Sequence, residues 1–335
     1  RNSGWCVRVS NNKRNRMNEF NFIEQYLIKN QGDSSVLLGI GDDAAIVRPR
    51  PDWDLCISSD MLLAGRHFFV DTKPEDLAHK VLSVNLSDMA AMGAVPKWVL
   101  LSVALPVLDK DWLKSFCNRF YALCDEYGVS LIGGDTTKGD WIFNITIFGE
   151  VPKGRGLLRC AAREGDDVWV SGRLGSAAAA LQHLLGNFVL PQAVFQQCEQ
   201  ALLRPIPRVG LGQSLLAEAH AAQDISDGLI QDLGHILDAS GVGAEIFWQD
   251  IPVLPELRDC LSSKQLHQCV LAGGDDYELL FTADAGRRGQ IEALARQCGV
   301  PVSRIGRVVA GKGIRILDEE GGEITLEKYG FDHFA

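Results

Sequence analysis

Residues 74–94 read PEDLAHKVLSVNLSDMAAMGA. Leu77, Val81, Val84, Leu86 and Met89 recur at the spacing of one helical face, which predicts a helix over 74–92. Pro74 suits a first helical turn, and Gly93 a stop just past the last one. Short β-rich runs lie on either side, at 36–40, 55–59 and 99–105. Further out, 20–28 has a helical pattern that Gln31-Gly32-Asp33 breaks. Residues 111–127 read as a second long helix ended by Gly128, with strands at 130–132 and 141–150. Pro152-Lys153-Gly154-Arg155-Gly156 marks a shift in composition and a domain boundary. Beyond it, 167–171 reads as a strand, 172–175 as a turn, and 176–185, 208–222 and 229–239 as helices. Strands at 270–272 and 279–282 flank a Gly-Gly turn. Strands and helices are mixed, so the expected fold is α+β or α/β, with two layered domains over 17–152 and 153–335.

Composition narrows the function. The chain has 335 residues, 46% hydrophobic and 23% charged, enough for two ordinary cores. No apolar run approaches the roughly 18–20 residues of a membrane-spanning helix, so no membrane partner is expected. Acids outnumber bases 43 to 33, for a net charge of −10. An acidic body argues against nucleic acid, which needs clustered Lys and Arg. A phosphorylated small molecule remains compatible, provided metal ions supply positive charge. Residues 1–16 carry Arg1, Arg8, Lys13, Arg14 and Arg16 but no acid and no apolar stretch. They read as a non-native or disordered leader ahead of a natural start at Met17, not as a secretory signal. The nine cysteines are odd in number and contain no CxxC pair, which fits reduced thiols in the cytoplasm better than disulfides or zinc.

Chemistry is concentrated in six acidic segments, several of them in Gly-containing turns beside apolar strands. They are 39–43 (GIGDD), 58–60 (SSD), 85–88 (NLSD), 133–137 (GGDTT), 224–228 (DISDG) and 273–278 (GGDDYE). A carboxylate beside a buried strand is costly to desolvate unless a cation or hydrogen bonds meet it. One such segment is ordinarily an Asx-turn or a helix cap. Six in one chain, with few bases near them, point instead to hard divalent cations such as Mg²⁺. That ion takes carboxylate, hydroxyl, phosphate and water oxygens. The glycines would let backbone N–H groups approach phosphate. Gly39-Ile40-Gly41 lacks the rest of a dinucleotide fingerprint, because Asp42-Asp43-Ala44 follows it. There is no GxxxxGK[ST], HExxH or GxSxG.

Seven segments together resemble the thiamine-monophosphate kinase family. They are GIGDDAA (39–45), SSDMLLAGRHF (58–68), NLSDMAAMGA (85–94), LIGGDTT (131–137), DISDGL (224–229), GGDDYEL (273–279) and GFDHF (330–334). The similarity runs colinearly from Phe20 to Phe334. NLSDMAAMGA belongs to a wider superfamily typified by aminoimidazole ribonucleotide synthetase and selenophosphate synthetase, whereas AGRHF and GFDHF favour the thiamine branch. The resemblance implies ATP-dependent phosphorylation of thiamine monophosphate to thiamine diphosphate, the final step in making that cofactor. It also implies a homodimer whose N-terminal domains join their sheets into a β-barrel, each subunit carrying a C-terminal α/β domain. By motif match, Asp43, Ser58, Ser59, Asp60, Asp88, Asp135, Asp224 and Asp227 would be ligands of several Mg²⁺ ions, with Asp42 a water-mediated or supporting partner. Gly134, Arg159 and Ser226 would contact ATP, and His67, Asp275 and Phe331 the thiamine phosphate. The resembling proteins usually read GGEDYE, so Asp275 stands where a Glu is usual and reaches one methylene less far.

The acceptor in such a reaction is itself a phosphate, ionised near neutral pH, so no separate catalytic base is expected. The obstacle is electrostatic: two unit charges 4 Å apart repel by about 4 kcal/mol at an effective dielectric of 20. Two other readings compete. One is a synthetase of the same superfamily acting on an amide or selenide acceptor. The other is a thiamine-phosphate or nucleotide-binding protein without turnover, against which the full acidic set argues.

Overall fold

The computed structural model describes residues 19–29, 32–326 and 330. The expected leader, the start at Met17 and Phe331 lie outside the described residues. The chain opens with α1 (Glu19–Phe22), continued by a π-helical turn at Ile23–Leu27, and a small ladder of β1 (Val36–Leu38) and β2 (Ile46–Val47).

The first large sheet has the order β3-β6-β4-β5, from β3 (Trp53–Leu63), β4 (Val95–Leu105), β5 (Ser130–Lys138) and β6 (Ile142–Pro152). β6 runs antiparallel to both β3 and β4, while β4 and β5 are parallel. A parallel pair needs a crossover, and α3 (Lys110–Tyr127) supplies it. Asp109 accepts from Trp112 N at the start of α3, and Gly128 closes it in the left-handed conformation.

Helix α2 (Pro74–Ala91) begins with Pro74, Glu75 and Asp76 in its first turn, residues that suit the positive end of a helix dipole. It is buried on nearly every side because it lies between two layers. It packs against β3, β4 and β6 on one side and against α6 (Val209–Ser214), β8 (Ala219–Asp224) and β10 (Leu279–Ala283) on the other. Its apolar residues fill both layers, while its polar residues Asp76, His79, Lys80, Ser83, Asn85 and Ser87 are buried between them.

The second sheet has the order β12-β9-β11-β7-β10-β8, adding β7 (Asp167–Ser171), β9 (Gly243–Phe247), β11 (Val302–Val309) and β12 (Gly313–Leu317). Only β12 and β9 are parallel. Alternation splits its central strands between two cores. Trp169, Ala222, Leu279 and Phe281 join the core built around α2, together with Ile291 and Ala295 of α10 (Arg288–Cys298). Val168, Val170, Ala221 and Leu280 face the other way, onto α4 (Ser176–Leu184), α5 (Gln192–Leu203), α7 (Leu229–Ser240) and α9 (Ser263–Leu271). The short α8 (Pro255–Cys260) closes that second core through Leu257.

The architecture is therefore a two-sheet mixed α/β fold, with several local departures from the sequence reading. The helix expected over 208–222 stops at Ser214. A 3₁₀ turn follows, and Ala219–Ala222 extend as β8 because the edge of β10 offers them a hydrogen-bonding partner. Helix propensity in an Ala-rich run gives way to that pairing. The strand expected over 270–272 is the end of α9, which a Ser262–Gln265 capping box starts. Three acidic segments expected near turns lie inside regular elements: 58–60 in β3, 85–88 in α2 and 133–137 in β5. Among the described residues no helix is long and apolar enough to cross a membrane, and the cysteines are free thiols.

Candidate phosphoryl-transfer site

Strand alternation divides the predicted ligands of β3. Ser58 and Asp60 pair in register with the buried Ile147 and Ile145, so they face α2. Ser58 there donates a short hydrogen bond to Asp88 Oδ2, and Asn85 Oδ1 accepts from the Asp60 amide at 3.2 Å. Ser59 points to the opposite face, where it bonds Ile145 O and Thr146 Oγ1, each at 3.1 Å. From the second sheet, β8 ends at Asp224, whose Oδ2 accepts from Ser87 Oγ of α2 at 2.7 Å.

Three elements thus bring Asp60, Asp88 and Asp224 into one buried basin, with Asp227 beside it. The electrostatics record the crowding. Burial, then the charges of Asp88 and Asp227, pushes Asp60 from 3.8 up to about 7. Burial likewise raises Asp88, against the Ser58 hydrogen bond and the positive charge of Arg159, which both lower it. Asp224 is raised well above its ordinary value, by burial first and then by Asp88, with Asp232 and Asp60 adding to the effect. Buried carboxylates displaced upward by one another are short of positive charge. Hard oxygen donors in that state fit Mg²⁺. Among the described residues no three acidic, imidazole or thiol groups enclose one ion by themselves. An open donor set also suits an ion that keeps phosphate and water oxygens as ligands.

The loop after β8 is shaped by a residue the sequence reading passed over. Asp232, in the first turn of α7, accepts from the amides of Ser226, Asp227 and Gly228 at 3.0, 3.0 and 3.1 Å. Its other oxygen accepts from Gln223 Nε2 at 2.7 Å. An acid in the first turn of a helix, five residues after Asp227, was the available signal. The 273–278 segment then zips onto this loop. Asp275 N and Tyr277 N donate to Ser226 O and Ile225 O, and Ile225 N donates to Glu278 O. Gly274 has no alternative here, because a Cβ would stand 2.2 Å from Ser226 O. Asp276, half-buried and raised well above the ordinary carboxylate range by desolvation, caps the start of α4 through Gly175 N. Glu278 takes Ser171 and a bidentate Arg208.

Other predicted residues stand apart from the basin. Asp135 of β5 pairs in register with Ser102 of β4, next to the buried pair Thr136 and Val103, so it lies on the outer face of the first sheet with Ser59. Gly134, next to it, has φ +148°, and a Cβ there would meet Leu101 O at 1.8 Å, so strand packing already demands the glycine. Asp42 accepts from the Asp43 amide at 2.8 Å, and both lie exposed. Arg159 sits in the 3₁₀ turn Arg159–Ala161, exposed, with its charge felt at Asp88. His67 Nδ1 accepts from Leu63 N at 3.0 Å, which caps the end of β3 and puts the ring proton on Nε2. Asp275 is paired with Lys80 of α2, a residue the sequence reading also missed although a lysine inside an apolar helical pattern marks it.

Comparison with known proteins converges on one group. The family described as AIR synthase related protein matches in two parts, its N-terminal domain over residues 41–151 and its C-terminal domain over 163–319. The chain is 41% identical over 320 residues to the thiamine-monophosphate kinase of Salmonella typhimurium, covering 95% of this chain and 98% of the relative. Among solved structures, the thiamine-monophosphate kinase of Stenotrophomonas maltophilia superposes with a TM-score of 0.81 at 44% identity, covering 87% of this chain and 93% of that one. AaThiL complexed with AMPPCP and TMP superposes with a TM-score of 0.74 at 32% identity, covering 94% and 97%.

Proposed function

We propose, for a chain that belongs to the thiamine-monophosphate kinase family of AIR synthase related proteins, that this basin carries one reaction. The γ-phosphoryl group of ATP passes to thiamine monophosphate, giving thiamine diphosphate and ADP. The observation that carries the reading is the convergence of Asp60, Asp88 and Asp224 from β3, α2 and β8 into one buried, cation-deficient site.

Asp60, Asp88, Asp224 and Asp227, with the Ser58 hydroxyl, would hold Mg²⁺ at this basin, and Asp43, Ser59 and Asp135 would complete the set. When bound, Mg²⁺ supplies the positive charge that lets two polyanions meet and that stabilises charge spreading in a loose transition state. Arg159 would add a fixed guanidinium for the nucleotide phosphates. Gly134 and the Ser226 loop would let phosphate oxygens approach backbone closely. His67 would donate from Nε2 to the acceptor. Phe331 would stack on the cationic rings, an interaction worth about 0.5–2 kcal/mol. The acceptor oxygen is already ionised, so no side chain is needed as general base.

The homodimer belongs to the same reading. Ile57 and Met61 flank Ser59 on β3, and they are 60% and 55% exposed. A second copy covering this face would close two four-stranded sheets into a barrel and shield the apolar strip. The free thiols fit a cytoplasmic setting.

Incubation of the purified chain with ATP, Mg²⁺ and thiamine monophosphate, followed by chromatography, tests the reading. Thiamine diphosphate should form, and free thiamine should be a poor acceptor because it lacks a phosphate. Turnover of a different acceptor, with none of thiamine monophosphate, would overturn it.

A further inference from the structure

Lys80 is a cation buried within the protein. It is 3% exposed, on α2, and its Nζ stands 3.1 Å from Oδ1 of Asp275. Burying an ammonium costs several kcal/mol unless a partner answers it, so a lysine here must serve a definite contact. Asp275 is held from a second side by the half-buried Tyr277 side chain, which hydrogen-bonds it. Both Asp275 and Tyr277 sit at positive φ, +68° and +50°, conformations that persist only where surroundings enforce them. The Lys80 side chain is enclosed, while the Asp275 side chain remains 27% exposed. Its carboxylate is therefore aimed outward by a fixed pair of donors.

The pair also sits at one end of the site. Asp88 follows Lys80 by eight residues on α2, about 12 Å along the axis at 1.5 Å per residue. A helical lysine leans toward the N-terminus, further from Asp88. The acceptor has a matching polarity, with an anionic phosphate at one end and a cationic, amine-bearing ring system at the other. A carboxylate repels the phosphate and suits the rings. We propose that Lys80 and Tyr277 are positioning residues that aim Asp275 at the organic end of thiamine monophosphate, and so set affinity for the acceptor but not for ATP. This rests on the reaction proposed above.

Steady-state kinetics on the full chain, with ATP, Mg²⁺ and thiamine monophosphate, tests it. K80M should raise KM for thiamine monophosphate about tenfold and Y277F about threefold, with kcat and KM for ATP within about twofold of the parent. K80R should recover part of the loss, because it keeps a cation. The K80M/D275N double variant should match D275N alone, since the lysine acts only through that carboxylate. Parental KM in both single variants overturns the inference. So does an equal rise for both substrates, or effects that add in the double variant. Y277F removes one hydroxyl and keeps the test decisive should K80M not fold. An unaltered chain that makes no thiamine diphosphate is a separate result, which removes the reaction itself and this inference with it.

Discussion

Ser87 donates a 2.7 Å hydrogen bond to Oδ2 of Asp224, tying the C-terminal turns of α2 to the end of β8. That one bond does not offset burial and the neighbouring carboxylates, and Asp224 remains raised well above its ordinary range. The fold therefore holds a destabilising charge where the chemistry needs it. Asp224→Asn should raise Tm of the metal-free protein by about 2 °C, since it removes one of several crowded acids. The same change should lower turnover by about a hundredfold or more. Scanning calorimetry and a product assay on one preparation check both halves. A less stable variant with parental turnover would contradict both.

Asp60 makes the metal-free protein sensitive to pH. Its folded value, about 7, lies above its ordinary 3.8, so the folded state binds the proton more tightly. The stability this contributes is fully present below pH 3.8 and is lost as pH rises through about 7. With chelator present, Tm should fall between pH 5 and pH 8. Added Mg²⁺ should raise it more at pH 8, where the carboxylates are ionised. A thermal-shift grid of pH against Mg²⁺ measures this, and a Mg²⁺ shift that does not grow with pH speaks against the ligand set.

Asp232 separates shape from charge. Burial raises it to about 6 even though three amides donate to it. Asp232→Asn keeps an oxygen for the amides of Ser226, Asp227 and Gly228. Its new NH₂ would face Gln223, whose Oε1 is buried without a partner and can turn to accept. Asparagine should thus retain most activity, whereas Asp232→Ala frees the loop and should cost at least about tenfold in kcat/KM. Equal loss in both variants would mean that charge, not loop geometry, is what Asp232 supplies.

How much of this was legible in the sequence depends on which residues are asked. The helix over 74–92 carried strong 3.6-residue periodicity and Pro/Gly punctuation, and α2 ends within a residue of it. β8 was hidden because Ala219–Ala222 have no intrinsic strand preference, and only the neighbouring β10 makes them one. The acidic segments and the family motifs flagged Asp60, Asp88 and Asp224, but not that strand alternation turns Ser59 away from Ser58 and Asp60. Lys80 acts through a contact across distant segments, 80 with 275, which local pattern does not encode, whereas Asp232 acts locally on the amides of 226–228 and was signalled only by its place in a first helical turn.

Asp135 tests whether the outer face belongs to the site. It is exposed on β5 and supports no packing, so Asp135→Asn should leave Tm unchanged. Turnover should nevertheless fall by about a hundredfold if it holds Mg²⁺ beside the nucleotide. Parental activity would remove it from the ligand set while leaving the inner carboxylates in place.

The same face predicts the assembly. Ile57 is 60% exposed on β3, flanked two residues away by Ser59, and Met61 lies two further along at 55%. With Leu55 also exposed, three of the four outward positions 55, 57, 59 and 61 of this strand are apolar, a pattern that favours a covered face. In a monomer, Ile57→Glu would place a charge in water and change little. In a barrel closed by two sheets, it buries an unpaired carboxylate in each subunit, which costs more than a small interface returns. The substitution should therefore convert a dimer to a monomer in light scattering, with little change in circular dichroism. Turnover should fall with it, because Ser59 and Asp135 line that face. A parent that scatters as a monomer, or a variant that stays dimeric and active, would show that another surface joins the copies or that none does.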